Sequence, residues 1–152
     1  MEALDPNFAD FLKSLNARGV EYLVVGGYAV GYHGFVRATG DLDVFVGRSP
    51  DNAAKLVAAF KDFGLDLAEL NPAVFMEPGK IVRLGVPPLR LKVMNEISGV
   101  TFADCYRRRI EETIGGVLIC FIDRESLIRN KQAAGRSKDV ADIVALRGKA
   151  SD

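Results

Sequence analysis

A chain of 152 residues has the length of one domain with a core of ordinary size, and 49% of it is apolar, which excludes a disordered chain. Twenty Lys and Arg balance twenty Asp and Glu, so no global basic field exists to hold a nucleic-acid backbone; any such contact must be local. Two cysteines, Cys105 and Cys120, are too few for a disulfide framework and are expected as reduced, packed thiols. No apolar run reaches membrane-span length, and the start Met1-Glu2-Ala3-Leu4-Asp5 lacks the basic and apolar regions of a signal peptide, so a cytoplasmic location is expected.

Asp5-Pro6 reads as a helix cap followed by proline at the first helical position. Phe8, Phe11, Leu12 and Leu15 then form a stripe at helical spacing. Gly19 ends that helix, and residues 20–25 are predicted to form a strand. The glycine pair Gly26-Gly27 leads into a short helix with Ala29, Val30 and Tyr32. His33, the only histidine, reads as a local hydrogen-bonding group in preference to a base. A second strand runs from Asp41 to Val46. Ser49-Pro50 opens another helix, with Leu56, Phe60 and Phe63 on one face. Residues 65–79 read as loop with at most one helical turn, because Pro72 and Pro78 interrupt them. Residues 80–86 and 89–94 are two strands meeting at Pro87-Pro88. A loop follows, and Thr101 caps a helix with Phe102, Cys105 and Tyr106. The cations Arg107, Arg108 and Arg109 at its end suit the helix dipole; the rival reading is a local phosphate patch. Gly115-Gly116 marks a tight turn between strands. Asp123 starts a helix through Ala134, and Ser137 starts the last, with Val140, Ile143 and Val144 expected inward. The expected fold is α/β (α+β): one domain, a small mixed sheet flanked by helices, residues 123–148 forming a closing helix pair.

Two features carry chemistry. Gly26 and Gly27 sit where a strand hands over to a helix, a place where backbone N–H groups attract phosphate. Asp41 and Asp43 stand at i and i+2 on a strand, so both carboxylates share one face. Two adjacent carboxylates repel each other unless a cation sits between them, and a divalent ion such as Mg²⁺, shared with substrate phosphates, resolves that repulsion. The order, phosphate cradle then carboxylate pair, is the layout of a nucleotide site.

The stretch from Gly26 to Val44, with His33-Gly34, Arg37, Thr39 and Asp41-Leu42-Asp43-Val44, closely resembles the signature of the nucleotidyltransferase superfamily related to DNA polymerase beta. It is most similar to a small prokaryotic branch of minimal nucleotidyltransferases and toxin-like components of abortive-infection and toxin–antitoxin pairs. The segment from Leu127 to Asp142 is similar to the closing segment of the same branch. The resemblance implies that Asp41 and Asp43 hold Mg²⁺ and that Gly26 and Gly27 hold a nucleoside triphosphate. It further implies that Arg37, Thr39, Lys131, Arg136 and Lys138 lie on the substrate side, while Asp139 and Asp142 fix the helix pair. On physical grounds alone, Lys131 and Lys138 are solvated helix charges. A protein or RNA acceptor and an antitoxin-like partner protein are the implied partners.

The family supplies a third carboxylate from a later strand, and the matching position here is Lys92. Strand alternation puts Arg90, Lys92 and Met94 on one face. An ammonium facing Asp41 and Asp43 stands as a cation, not a base, and competes with a metal for the place between them. Glu96 shares the parity of Lys92 but lies about 13 Å further along an extended strand. Glu77 and Asp104 have no placement from sequence, so no acid replaces the missing one. Two functions stay open. One is a metal-dependent transferase in which Asp41, Asp43 and Lys92 form the catalytic group. The other is a nucleotide-binding or partner subunit whose chemistry has lapsed.

Overall fold

The computed structural model describes residues 4–34, 40–86 and 89–148. Its elements, in chain order, are α1 (Pro6–Ala17), β1 (Tyr22–Val25), α2 (Gly26–Tyr32), β2 (Asp41–Val46), α3 (Pro50–Asp62), α4 (Pro72–Met76), β3 (Ile81–Val86), β4 (Leu89–Met94), α5 (Phe102–Arg107), β5 (Ile110–Ile114), β6 (Val117–Phe121), α6 (Arg124–Ala134) and α7 (Ser137–Gly148). The six strands form one mixed sheet in the order β3-β4-β2-β1-β6-β5. Among the described residues no helix is long and apolar enough to cross a membrane.

The caps read from the sequence form as side-chain hydrogen bonds. Asp5 accepts from the Asn7 amide, Ser49 from Asn52, Thr101 from Asp104 and Asp123 from Ser126, each satisfying an orphan donor of a first turn. The ambiguous stretch 65–79 contains one short helix, α4, capped by Asn71. Gly115 and Gly116 both take positive φ, 58° and 80°, the pair of left-handed conformations that a two-residue hairpin turn between β5 and β6 requires.

Topology puts the site in the middle of the sheet. β2 lies between β1, antiparallel to it, and β4, parallel to it. The register of the β2–β4 pair sets Asp41 opposite Arg90 and Asp43 opposite Lys92. Leu42 and Val44 point the other way and are fully buried, as are Phe11, Leu12 and Leu15 of α1 and Leu56 and Phe60 of α3. The apolar residues between the acids thus anchor the strand whose other face carries the chemistry.

One helix face departs from expectation. Val140 and Val144 of α7 are exposed, 60% and 68%, while Asp139, Asp142 and Leu146 are buried. The apolar spacing pointed to the valines. The helix instead turns its acids inward because the ammonium of Lys131 on α6 receives both: its Nζ lies 3.3 Å from Asp139 and 2.9 Å from Asp142. Lys131 is therefore buried, not the solvated helix charge that its type suggested.

Candidate active site

Where β1 ends, Val25 is extended and Gly26 turns the chain into α2 with φ +65°, a conformation costly for any residue with a Cβ. Space imposes the same choice: a Cβ on Gly26 would stand 2.2 Å from Oδ2 of Asp43. The glycine backbone and the second carboxylate are thus in direct apposition. Gly27 follows inside the helix and is buried.

A cavity of about 650 Å³ opens over this apposition. Gly26 and Gly27 border one side and Asp41 and Asp43 the floor; Arg83, Lys92, Arg136 and Lys138 supply positive charge around them. With Lys131, five cations line one hollow of a chain of zero formal net charge, against the three acids Asp41, Asp43 and Glu96, which suits a polyanionic ligand. Arg37 and Thr39, two further residues expected here, lie outside the described residues.

The acids differ in their surroundings. Asp41 meets Arg90 in a two-point contact, Nε to Oδ1 and Nη2 to Oδ2, both at 3.3 Å. Asp43 has Lys92 only at 4.0 Å, and its Oδ1 is buried without a hydrogen-bond partner among the described residues. Burial pushes the Asp43 carboxyl above its ordinary value, Lys92 pulls it back, Asp41 pushes it up again, and Lys138 and Arg136 pull it down. An orphaned buried carboxylate oxygen beside a second carboxylate is a donor set suited to one hard divalent cation. These residues fit a single such ion. The place where a third carboxylate would serve another is held by the ammonium of Lys92, and among the described residues no group of three or more acidic, histidine or cysteine side chains could hold a metal.

On the opposite wall Lys131 lines the cavity, but its ammonium is committed to Asp139 and Asp142. Asp139 also accepts from Arg136, through Nε at 2.8 Å, Nη2 at 3.2 Å and the backbone amide at 3.1 Å. Burial would raise the Asp139 carboxyl; the Arg136 hydrogen bonds and the nearby Lys131 outweigh it and leave it below the usual carboxylate range. The cluster thus fixes α6 against α7 and holds the Arg136 guanidinium at the rim.

His33 caps α2, and its Nε2 donates to the Ile122 carbonyl at 2.8 Å, which ties that helix to the end of β6. Burial lowers its pKa, so the ring is neutral at pH 7. Arg107 pairs with Asp104, and Arg109 pairs with Glu111 at 3.5 Å while lying over the Tyr106 ring. Cys105 and Cys120 are buried thiols whose pKa values burial raises. Glu96 lines the cavity, and Glu77 and Asp104 do not. Arg83 and Asn130 were not singled out from sequence. Arg83 had a signal: the antiparallel pairing of β3 with β4 sets it opposite Lys92.

The chain matches the family model described as nucleotidyltransferase of unknown function (DUF6036) over residues 3–147. No curated protein sequence matches it. Among solved structures, the antibiotic-resistance factor ANT(2″)-Ia in complex with adenylyl-2″-tobramycin is similar with a TM-score of 0.58 and 13% identity, over 93% of this chain and 86% of that one. A nucleotidyltransferase-like structure from Thermotoga maritima, TM1012, gives 0.59 and 14%, over 93% and 88%. The lincosamide antibiotic adenylyltransferase LnuA, lincomycin-bound, gives 0.58 and 14%, over 98% and 99%. At these identities the likeness is one of fold. The family match covers nearly the whole chain, and the chain belongs to the DUF6036 nucleotidyltransferases, with the nucleotidyltransferase-like fold that Gly26-Gly27 and Asp41-Leu42-Asp43 led one to expect.

Proposed function

We propose that this protein binds a nucleoside triphosphate with one Mg²⁺ in the cavity over β2 and transfers its nucleoside monophosphate to a hydroxyl group. The observation that carries the reading is the facing of two unlike sets of groups across one hollow. Asp41 and Asp43, the latter with an orphaned oxygen, form the floor, and Arg83, Lys92, Arg136 and Lys138 surround it.

Asp41 and Asp43 would hold the ion, which when bound neutralises phosphate charge and favours attack at phosphorus. The residues of the chain do the rest. Gly26 lets the backbone approach Asp43 where no side chain would fit, so the turn into α2 and the second carboxylate sit side by side at the cavity. Lys92, beside Asp43 on the neighbouring strand, meets negative charge that grows on the phosphoryl oxygens and the leaving pyrophosphate. Arg136, held by Asp139, and Lys138 neutralise the far end of the triphosphate. Lys131 positions Arg136 through their shared partner Asp139 and does not itself reach for phosphate.

Calorimetric titration with the four common triphosphates, with and without Mg²⁺, tests the reading. At least one should bind below millimolar concentration in a Mg²⁺-dependent way, and failure of all four would sink it. A second reading, a binding module without transfer chemistry, is favoured by one observation: an ammonium 4.0 Å from Asp43 where the superfamily has an acid. Pyrophosphate release in the presence of hydroxyl acceptors separates the two.

A further inference from the structure

A second cavity, of about 880 Å³, adjoins the first, and the two meet at one wall, because Glu96, Ile97 and Ser98 line both. One strand runs beneath them. Asp41, Asp43 and Phe45 share a face of β2, and Gly47 continues that parity. The acids open into the first hollow, Phe45 and Gly47 into the second. The linings differ in kind. The second is built on Phe45, Ile97, Val100, Phe102 and Tyr106, with the Phe102 ring edge-on to Phe45 at 5.1 Å and stacked on Tyr106 at 5.2 Å. Gly47 makes room for that ring, since a Cβ there would stand 3.0 Å from it. The arginines around it are engaged: Arg107 with Asp104, Arg48 with the Met76 carbonyl at 3.4 Å, Arg109 with Glu111. A partly aromatic hollow of this size is that of a small-molecule site, and its occupied cations leave little to hold a phosphate backbone.

We propose that the second cavity holds the acceptor: a small molecule with an apolar or aromatic body, whose hydroxyl is directed at the shared wall, where Glu96 takes its proton. The inference rests on the triphosphate occupying the first cavity. Glu96 is exposed and forms no ion pair among the described residues, so its carboxylate is available to a ligand from either side. The acceptor oxygen attacks the α-phosphorus and forms the new P–O bond. The bond from that phosphorus to the bridging oxygen breaks, pyrophosphate leaves with the electron pair, and the hydroxyl proton passes to Glu96. Both substrates reach the wall from opposite sides, as a direct transfer needs.

The test compares the natural protein with Ala103→Trp and Glu96→Gln. Ala103 is exposed on α5 and lines only the second cavity, so an indole there blocks the hollow without entering the core. The probes are the best-binding magnesium triphosphate by calorimetry and a panel of hydroxylated aromatics plus lincomycin by ligand-observed NMR, with a short RNA oligonucleotide as control. At least one panel member should bind the natural protein together with the triphosphate and bind Ala103→Trp at least tenfold more weakly. Triphosphate affinity should stay within twofold in Ala103→Trp. Glu96→Gln should lower transfer to that panel member about a hundredfold, the lower end of general-base effects. The proposal is overturned if no panel member binds in a way the indole blocks. Loss of triphosphate affinity in Ala103→Trp would overturn it by making the hollow a nucleoside site. Binding of the RNA, lost in Ala103→Trp, would make the acceptor a nucleic acid. Retained transfer in Glu96→Gln removes the assigned proton acceptor. A natural protein that binds no triphosphate fails at the earlier step, and is told apart from failure here by calorimetry alone.

Discussion

The molecule contains the same three charges twice. Lys92 stands with Asp41 and Asp43 on the sheet, and Lys131 with Asp139 and Asp142 between α6 and α7. In the helix cluster all three side chains are at most 3% exposed, the lysine reaches both acids within 3.3 Å, and Asp139 has Arg136 besides. In the sheet cluster the other acid leans on Arg90, and the ammonium stands 4.0 Å from the buried Oδ1 of Asp43, against 2.9 Å from the buried Oδ2 of Asp142 in the helix cluster. Their carboxyl groups respond in opposite directions, Asp139 below the ordinary value and Asp43 above it. One cluster is closed and tightly paired, the other is open and loosely paired. Loose pairing is what leaves a site able to bind something else, so identical residue types separate into a fastening and a reactive floor.

Removing the lysine should separate them most sharply. Lys131→Met takes the shared ammonium away from two buried carboxylates, a change that costs about 3–5 kcal/mol. Lys92→Met, at a half-open and loosely paired position, should cost within about 1 kcal/mol. Paired denaturant melts measure both. Equal losses would mean that the sheet cluster is also a structural fastening.

Asp43→Asn makes the complementary change. It should lower magnesium-triphosphate affinity at least tenfold in calorimetry and leave the metal-free protein as stable as before, or more so, because a buried charge with an unpartnered oxygen disappears. Asp139→Asn should do the reverse, destabilising the fold by about 1–3 kcal/mol through its lost charge-assisted bonds. Any loss of nucleotide affinity there should be the smaller, since it acts only through Arg136.

The sheet cluster was legible in the sequence, and the helix cluster was only partly so. Period-two alternation brings Asp41 and Asp43 to one face, and the parallel register sets Lys92 beside Asp43 as that alternation implied. Arg83 is equally legible, because the β3–β4 register sets it opposite Lys92. Helical periodicity failed on α7 because it counts apolar residues. Val140 and Val144 outscored Asp139, Asp142 and Leu146, although the latter set, at i, i+3 and i+7, is the buried one; Ile143, half-buried, does pack against the core as expected. Pairing with Lys131 inverts that rule, and only the resemblance hinted at it. The second cavity was not legible at all. It depends on how residues 95–100 fold beside β2 and on the ring of Phe102 meeting Gly47, contacts between segments far apart in the chain.

Lys92→Asp sharpens the comparison by turning the sheet cluster into three acids. Without metal it should lose stability, about 1–2 kcal/mol, because like charges at one site repel. Mg²⁺ should restore that stability by binding only the folded form, with a midpoint that rises with its concentration. Thermal melts of both proteins with and without Mg²⁺ show the crossing. If transfer activity falls in Lys92→Asp while Mg²⁺ affinity rises, Lys92 acts on phosphate and the lapsed reading fails.

The smallest expected effect is in pH dependence, and its sign distinguishes the clusters without any ligand. Asp139 is depressed below its unfolded value of 3.8, so it favours the folded state fully above that value. That contribution disappears only as pH falls through the lower folded value. Asp43 is raised above 3.8, so its ionised form disfavours the folded state at neutral pH. As pH falls through the raised value, the folded form takes up the proton first and the disadvantage disappears. The stability gain of Asp43→Asn should therefore be largest near pH 7 and shrink toward about pH 4, where an ordinary unfolded carboxylate also protonates. The loss in Asp139→Asn should stay constant over that interval and shrink only below it. Denaturant melts in Mg²⁺-free buffer at successive pH values read both differences against the natural protein. A parallel dependence for the two variants would mean that Asp43 is as well satisfied as Asp139, and that the open floor of the site is a closed one.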